Sequence, residues 1–213
     1  MISLALNRNK IDDAVRASVN ILKKGGVIAY PTETFYALGV EFNRFSSLKK
    51  LNALKKRPRE KALPMIIGSI ATLSAIVSPE WLSAVPPFVL SLTDRFWPGP
   101  LTLLMPARKG LPECLTADTG MIAVRMPGES FALHLARHAG FPITATSANL
   151  SGSPPADRAE MVSQYFGDEL DLVIDGGKTP GGLPSTIVDV SGDKAKIARE
   201  GVIRRDEIEG SAS

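Results

Sequence analysis

Cysteine is almost missing from this sequence of 213 residues, in which Cys114 is the one cysteine. A single cysteine excludes an internal disulfide framework and fits a reducing compartment, so we expect a cytoplasmic protein. Histidine is nearly as scarce, with His134 and His138 alone. Their spacing on a predicted helix suits two zinc ligands, but no HExxH motif and no third ligand accompany them. We therefore predict no metal site built from the protein's own side chains.

The sequence also lacks long apolar runs and the common nucleotide-binding loops. Its start, MISLALNRNKIDDAV, has six mostly apolar residues before the charges begin, which is too few for a signal peptide or a membrane span. There is no Walker A sequence, no GxGxxG after a predicted strand and no Ser/His/Asp order. We therefore expect no membrane association, and ATP, if it is used, must bind outside these loops.

The net charge is weak for a protein whose main task is to bind nucleic acid. It is +3, from 25 Lys and Arg against 22 Asp and Glu, which argues against a dedicated nucleic-acid binder. With 44% hydrophobic and 22% charged residues, the composition is that of a globular protein with a substantial core. No linker composition interrupts the chain, so we predict one domain over residues 1–205 and a flexible tail at 206–213.

Apolar periodicity predicts a mixture of helices and strands. Ile11, Val15, Val19 and Leu22 recur at helical spacing, and lysines and glycines follow them. Further helices are predicted near 45–55, 70–77, 86–96, 129–139 and 157–166. Short strands are predicted at VIAYP, LPMII, LTLLM, MIAVRM, PITAT, DLVID, STIVDV and AKIARE. This mixture predicts an α/β (α+β) fold, a single domain around one twisted, mostly mixed β-sheet flanked by helices.

The stretch ALKKRPREKAL, residues 53–63, holds five cations within seven positions. Charge runs are commonly solvated helix faces, whose cations contribute little to stability. However, Pro58 is expected to stop the helix after Arg57, so that Lys61 would extend from a loop beside Lys55 and Arg57. The cations could then converge on one anion, and both interpretations stay open.

Two polar features interrupt the later predicted strands. TATSANLSGSPP, residues 144–155, places small polar residues, Ser147 and Asn149 among them, after a short strand. Such loops let backbone amides approach a phosphate, but they are also ordinary turn sequences. Arg125, in AVRMP, lies in an apolar strand, where a guanidinium needs a carboxylate or a phosphate. A structural salt bridge and an anion site are both compatible with it.

Six segments over about residues 10–205 form an ordered set of motifs: GGVIAYPTETFYALG, LKKRPREKAL, FWPGPLTLLMP, IAVRMP, TSANLSG, and STIVDV with IAREGVI. In this order and spacing they resemble the YrdC/TsaC family of threonylcarbamoyl-AMP synthases. The hallmarks of that family are a K-x-R pair, matched by Lys55 and Arg57, and an S-x-N pair, matched by Ser147 and Asn149. The resemblance implies a YrdC-like (DHBP synthase-like) fold with a concave, positively charged cavity.

The resemblance implies an enzyme, a nucleotidyltransferase of the L-threonylcarbamoyladenylate synthase type. Such enzymes convert L-threonine, bicarbonate or CO₂ and ATP into threonylcarbamoyl-AMP and pyrophosphate, the first step of N6-threonylcarbamoyladenosine modification of tRNA. Mg²⁺ is expected to arrive with ATP, and a separate transferase complex is expected to move the group onto tRNA. The family also suggests contact with tRNA or double-stranded RNA.

The resemblance implies roles for individual residues as well. The residues implied in catalysis are Lys55, Arg57, Ser147 and Asn149. Those implied in ATP binding are Arg57, Lys61, Ser147, Asn149 and Arg199. Those implied in threonine binding are Thr32, Arg125 and Ser185. Within this set, the basic residues of the K-x-R segment would face the triphosphate and the reacting carbamate, and Arg125 would clamp the threonine carboxylate.

The sequence departs from the family pattern at three positions. Ile66 stands where some members have a histidine, Ala62 falls where an Asn-Pro is common, and Met121 replaces a hydroxyl residue near the nucleotide. Two alternatives stay open: a non-enzymatic relative that binds double-stranded RNA or tRNA, and a divergent paralogue of the YciO type. The YciO type lacks the K-x-R and S-x-N pairs, both of which this sequence keeps.

Overall fold

The computed structural model describes residues 2–6 and 10–211 of the chain. Within these ranges the strands are β1 (Ile2–Ala5), β2 (Ile28–Pro31), β3 (Tyr36–Gly39), β4 (Met65–Ile66), β5 (Leu101–Pro106), β6 (Met121–Arg125), β7 (Ile143–Thr144), β8 (Thr146–Ser147), β9 (Leu172–Asp175), β10 (Thr186–Asp189) and β11 (Lys196–Arg199). The α-helices are α1 (Ile11–Lys23), α2 (Phe45–Lys55), α3 (Pro79–Leu82), α4 (Pro87–Phe96), α5 (Glu113–Thr116), α6 (Phe131–Ala139), α7 (Ala159–Phe166) and α8 (Arg205–Glu209). Short 3-10 helices span Ile70–Ala75 and Gly167–Glu169.

One sheet has the strand order β1-β9-β2-β3-β8. β9 pairs in parallel with both β1 and β2, so strands from the two ends of the chain are neighbours. β2 and β3 form an antiparallel hairpin that closes with Pro31 opposite Tyr36. β8 is the last strand of this sheet, and its antiparallel pairing with β3 places Ser147 opposite Ala37. The polar turn at 32–35 and Ser147 therefore belong to the same sheet.

The second sheet has the order β11-β10-β5-β6-β4-β7. β5 and β6 are antiparallel, whereas β10 runs parallel to β5 and β4 runs parallel to β6. The register of β5 and β6 places Thr102 opposite Arg125. The predicted single-domain mixed α/β fold is confirmed, but the prediction of one sheet is wrong. Apolar runs identify strands, yet they do not say which strands pair.

Two clusters of buried apolar side chains join the sheets and the helices. α1 and α6 pack against each other and against β2, and α1 also packs against β9. The predicted apolar stripe of α1 is confirmed by the burial of Val15, Val19 and Leu22. The larger cluster contains residues of both sheets, such as Leu38 and Leu103, which are fully buried. Because burying one leucine contributes about 1.5–3 kcal/mol, this shared cluster fixes the two sheets relative to each other.

The predicted tail begins inside a helix. α8 spans Arg205–Glu209, and Ile208 is 1% exposed and belongs to the larger apolar cluster. The predicted boundary after residue 205 is therefore corrected, because burial of Ile208 attaches this segment to the core. Residues 212 and 213 of the predicted tail lie outside the described residues. Across the described ranges, no helix has the length and apolar character needed to cross a membrane.

Candidate active site

Helix α2 leads into the basic cluster and ends at Lys55. Lys56 adopts the left-handed backbone conformation, with φ 48°, and the backbone N–H of Arg57 donates to the Asn52 carbonyl at 3.1 Å. The helix ends at Lys55, in agreement with the predicted range 45–55. The left-handed Lys56 closes it, however, and not Pro58, which was expected to stop it after Arg57. Lys55 consequently lies in the last helical turn, and Arg57 lies in the loop.

Lys55 is buried, with 2% of its surface exposed. Its Nζ donates to the carbonyl oxygens of Ser147 and, at 2.9 Å, of Asn149, and it lies 3.4 Å from Asn149 Oδ1. An ammonium group has three donors, so these three oxygens can satisfy it. Lys55 thus holds the S-x-N loop in place, and it does not itself line the cavity described below.

This environment changes the acidity of Lys55. Burial, and to a lesser degree the charge of Arg57, lowers the pKa of Lys55 from 10.5 to about 7. Near neutral pH the folded protein therefore contains both the ammonium and the neutral amine. The unfolded chain, in contrast, keeps Lys55 protonated until the pH approaches 10.5.

The lowered pKa of Lys55 predicts a pH-dependent stability. Between about pH 7 and 10.5 the unfolded chain binds a proton that the folded protein has lost, so the free energy of unfolding rises with pH. The slope that Lys55 gives to the free energy of unfolding is at most about 1.4 kcal/mol per pH unit. Below the folded pKa this slope disappears, because Lys55 is then protonated in both states. From pH 7 to 8.5, wild type should gain about 1–2 kcal/mol over Lys55→Met in urea unfolding. Parallel pH curves for the two proteins would contradict the shift.

Residues 147–149 form a loop with its own internal hydrogen bonds. Ser147 Oγ donates to Asn149 Oδ1 at 2.5 Å. The Asn149 side-chain amide donates to the carbonyls of Leu150 at 2.9 Å and Ser153 at 2.6 Å. Asn149 is 8% exposed, whereas Ser147 lines the cavity. Asn149 therefore shapes the loop, and Ser147 is the member of the pair that a ligand can reach.

Arg57 is half-buried and held by three acceptors. Its guanidinium donates to the carbonyls of Lys61 at 2.8 Å and Ala62 at 2.6 Å, and to Thr146 Oγ1 at 3.1 Å. Burial lowers its pKa, but a guanidinium remains protonated in proteins. Arg57 is thus a fixed cation, not a solvated one as the charge run suggested.

The main cavity has a volume of about 910 Å³, and residues of both sheets line it. Six of the predicted site residues lie in its wall: Thr32, Arg57, Arg125, Ser147, Ser185 and Arg199. Lys55 and Asn149 lie behind this wall. The charged side chains that line the cavity are the cations Arg57, Arg125, Lys178 and Arg199 and one carboxylate, Asp157. The lining is therefore cationic in balance.

A second cavity, the side cavity, has a volume of about 550 Å³ and shares Arg57 with the main cavity. Lys61 is exposed and lines this side cavity together with Lys49, Lys56 and Arg59. The structure therefore does not bring the Lys61 side chain into the wall of the main cavity. Of the five cations in residues 53–63, only Arg57 lines the main cavity, and it lines the side cavity as well.

Arg125 lies at the end of β6, in the wall of the main cavity, with 8% of its surface exposed. Its Nη1 is 3.3 Å from Glu33 Oε1. Thr102 Oγ1, across the sheet, lies 2.8 Å from Ser185 Oγ. Arg199 is exposed overall and donates to the Ser185 carbonyl at 2.7 Å, and partial desolvation of its guanidinium together with the charge of Arg125 lowers its pKa. Two guanidinium groups and two hydroxyls thus converge on one end of the cavity.

The turn after β2 forms another part of the wall. Thr32 Oγ1 donates to the Phe35 carbonyl at 2.8 Å and accepts from the Thr34 backbone N–H at 3.0 Å. Hydroxyl side chains commonly fix turns in this way. An apolar part of the cavity wall consists of Phe35, Pro154, Pro155, Met161 and Pro180.

Three residues at the site were not predicted from the sequence, namely Glu33, Thr102 and Lys178. Thr102 had a detectable signal, because it is a polar residue in the otherwise apolar run LTLLM, as Arg125 is in AVRMP. Glu33 had none, because an acidic residue in a turn is ordinary. In the described parts of the chain, no group of three or more His, Cys, Asp or Glu side chains could hold a metal ion. His134 instead contacts Glu129 at the surface, at 3.0 Å.

Sequence comparison relates this chain to proteins named threonylcarbamoyl-AMP synthase. The family model Sua5/YciO/YrdC, described as "Telomere recombination", matches residues 20–201. Threonylcarbamoyl-AMP synthase of Bacillus subtilis is 35% identical over 199 residues, which is 93% of this chain and 56% of that protein. The protein of that name from Pyrococcus abyssi is 34% identical, covering 95% and 58%, and the one from Idiomarina loihiensis is 39% identical, covering 78% and 87%. The chain thus spans a little over half the length of the Bacillus and Pyrococcus relatives.

Comparison with solved structures gives the same relationship. The crystal structure of P. abyssi Sua5 complexed with L-threonine has a TM-score of 0.88 at 32% identity, covering 99% of this chain and 60% of that one. Escherichia coli YciO has a TM-score of 0.79 at 24% identity, covering 97% and 98%, and so shares the fold. Because the family model matches most of the chain and these relatives align along it, the protein belongs to the Sua5/YciO/YrdC family.

Proposed function

We propose that this chain synthesises L-threonylcarbamoyl-AMP from L-threonine, bicarbonate or CO₂ and ATP, and releases pyrophosphate. One observation carries the proposal: a single cavity combines three arginines, Arg57, Arg125 and Arg199, with the Ser147 hydroxyl. Relatives at 34–39% identity are named threonylcarbamoyl-AMP synthases, and the Pyrococcus Sua5 structure is that of a complex with L-threonine. This chain keeps both the K-x-R pair and the S-x-N pair, and their presence favours this activity over that of a YciO-type paralogue.

The proposed reaction has to bring two anions together. The threonine nitrogen bonds to the carbon of CO₂ and loses a proton, or it bonds to the carbon of bicarbonate and a C–O bond breaks so that water leaves; either route gives a carbamate. A carbamate oxygen then attacks the α-phosphorus of ATP, the bond from that phosphorus to the bridging oxygen breaks, and pyrophosphate leaves. Two like charges 4 Å apart repel by about 4 kcal/mol at an effective dielectric constant of 20. Fixed cations that are already in position offset this repulsion without reorganising during the reaction.

We assign threonine to the end of the cavity that contains Arg125. Its guanidinium can clamp the threonine carboxylate through two parallel N–H donors. Ser185 and Thr32 line the same cavity and offer polar groups for the rest of the amino acid. This assignment separates the carboxylate of threonine, held by Arg125, from its nitrogen, which has to reach the nucleotide.

We assign the phosphates to the side of the cavity formed by Arg57 and Ser147. Arg57 is held in place by three acceptors and can face the α-phosphate without losing them all. Arg199 adds a further cation from the Arg125 end of the cavity. Lys55 and Asn149 act indirectly by holding the Ser147 loop. The apolar part of the wall offers a surface for the adenine. Lys61 would contact the polyphosphate only by reaching past Arg57 from the side cavity.

The partners of the reaction follow from its chemistry. Mg²⁺ would enter bound to ATP, since triphosphates carry this ion into most enzymes that use them. The product would be consumed by a separate transferase complex that modifies tRNA, so we expect the protein to act in the cytoplasm. Contact with tRNA or double-stranded RNA remains a secondary proposal.

Purified protein supplied with MgATP, bicarbonate and L-threonine should release pyrophosphate only when threonine is present, and mass spectrometry should detect threonylcarbamoyl-AMP. A Ser147→Ala, Lys55→Ala double variant is the control, because it removes the cavity hydroxyl and the lysine that holds its loop. Equal release by wild type and this variant would refute the proposal. If the protein ignored ATP and bound RNA with a steep salt dependence, the alternative of an RNA-binding relative would replace it.

A further inference from the structure

The acidic residue in the first motif, Glu33 of PTET, has a position that the sequence did not suggest. Its two neighbours, Thr32 and Thr34, line the main cavity, whereas Glu33 is not part of that lining. Its side chain is 17% exposed and its Cγ packs near Gly128. Glu33 thus lies behind the wall that we assign to threonine.

One oxygen of Glu33 contacts both the end of β6 and the loop that follows it. Its Oε1 accepts a hydrogen bond from the Gly128 backbone N–H at 3.1 Å and lies 3.3 Å from Arg125 Nη1. The backbone bond fixes the carboxylate, and the carboxylate in turn fixes one edge of the guanidinium. Among the residues that the structure describes, Glu33 is the one acidic residue in an ion pair with Arg125.

The second oxygen of Glu33 has no partner. Oε2 is buried and makes no hydrogen bond in the described structure. An arginine side chain has five N–H donors in a fixed fork. If both oxygens of Glu33 paired with Arg125, they would occupy two of these donors and leave fewer for a ligand. Glu33 therefore makes a one-point contact with Arg125. This contact leaves most of the donors of Arg125 available at the cavity.

We propose that Glu33 is a positioning residue for threonine binding, because it orients the Arg125 guanidinium through a single oxygen. This inference rests on the proposed function, in which Arg125 clamps the threonine carboxylate. Supports of this kind matter because a side chain that binds substrate must be held close to its productive geometry before the substrate arrives. Glu33 itself touches no substrate in this proposal.

Three variants separate the effect of the side-chain length of Glu33 from the effect of its charge. Glu33→Gln keeps an acceptor at the position of Oε1, so the KM for L-threonine should stay within about threefold of wild type. Glu33→Asp keeps the charge but is one methylene shorter, and Glu33→Ala removes the acceptor. Both should raise the KM for L-threonine by about tenfold or more, since they release the guanidinium. The KM for ATP should stay nearly unchanged in all three.

Steady-state pyrophosphate release at varied threonine and varied ATP measures both constants, and Glu160→Ala, an exposed acid on α7, is the matched control. If Glu33→Ala fails to fold, the comparison of Glu33→Asp with Glu33→Gln carries the same test. Unchanged threonine KM in Glu33→Asp and Glu33→Ala, or equal increases in the KM for threonine and for ATP, would overturn the role of Glu33 while the proposed function stands. A wild-type protein without threonine-dependent release would overturn both.

Discussion

Arg125→Lys is expected to raise the KM for L-threonine about ten- to hundredfold, because it should cost one of two charged hydrogen bonds, each worth about 1.5–3 kcal/mol. Lysine keeps the charge opposite Glu33, which lies 3.3 Å from Arg125 in the wild type. It cannot offer the planar fork that binds a carboxylate at two points. The KM for ATP should change little, since Arg125 lies at the threonine end of the cavity in our assignment.

The choice of lysine also keeps this experiment interpretable. An apolar residue at Arg125 would leave the buried Glu33 carboxylate unpaired, and breaking a buried pair in this way costs about 3–5 kcal/mol of stability. Arg137→Lys, at an exposed position on α6, is the control for the loss of a guanidinium as such. A threonine KM like that of wild type in Arg125→Lys, or a parallel increase for ATP, would show that Arg125 does not clamp the threonine carboxylate.

The longer helices of this fold could be predicted from the sequence, whereas the short helices α3, α5 and α8 and three of the strands could not. α1 and α6 each have a buried apolar face and are followed closely by a glycine, and both signals depend on neighbouring residues. β1, β3 and β8 were not predicted. β1 has four residues and exists because it pairs with β9, about 170 positions later in the chain. A short strand that depends on such a distant partner leaves no strong local pattern.

At the candidate site, the residues that meet could be predicted from the sequence, but the orientation of their side chains could not. The motifs predicted that Arg57, Arg125 and Ser147 would meet, and the structure places all three in the wall of one cavity. They could not predict that Lys55 would turn towards the carbonyls of the S-x-N loop. They also could not identify Glu33 as the partner of Arg125, because the pair joins a turn to a strand 92 positions away. Orientation depends on tertiary contacts that a sequence pattern does not contain.

Arg57→Ala is expected to lower kcat by about 10²–10³, the usual cost of removing one preorganised group that stabilises charge in the transition state. In our proposal Arg57 faces the α-phosphate at the point where the carbamate approaches it. The substitution should also destabilise the protein by about 1–3 kcal/mol, because the Thr146 hydroxyl and two carbonyls lose a charged donor. Of the two interpretations that the sequence left open, a solvated cation would instead leave stability unchanged on removal.

Arg59→Ala is the control that separates these two effects from a simple loss of local charge. Arg59 belongs to the same basic cluster, but it is exposed and lines the side cavity only. Its removal should change the free energy of unfolding by less than about 0.5 kcal/mol and leave kcat within about twofold of wild type. Pyrophosphate release and urea unfolding of both variants provide the measurements. If Arg59→Ala lost as much activity as Arg57→Ala, the cluster would act through its total charge, and the fixed position of Arg57 would not matter for catalysis.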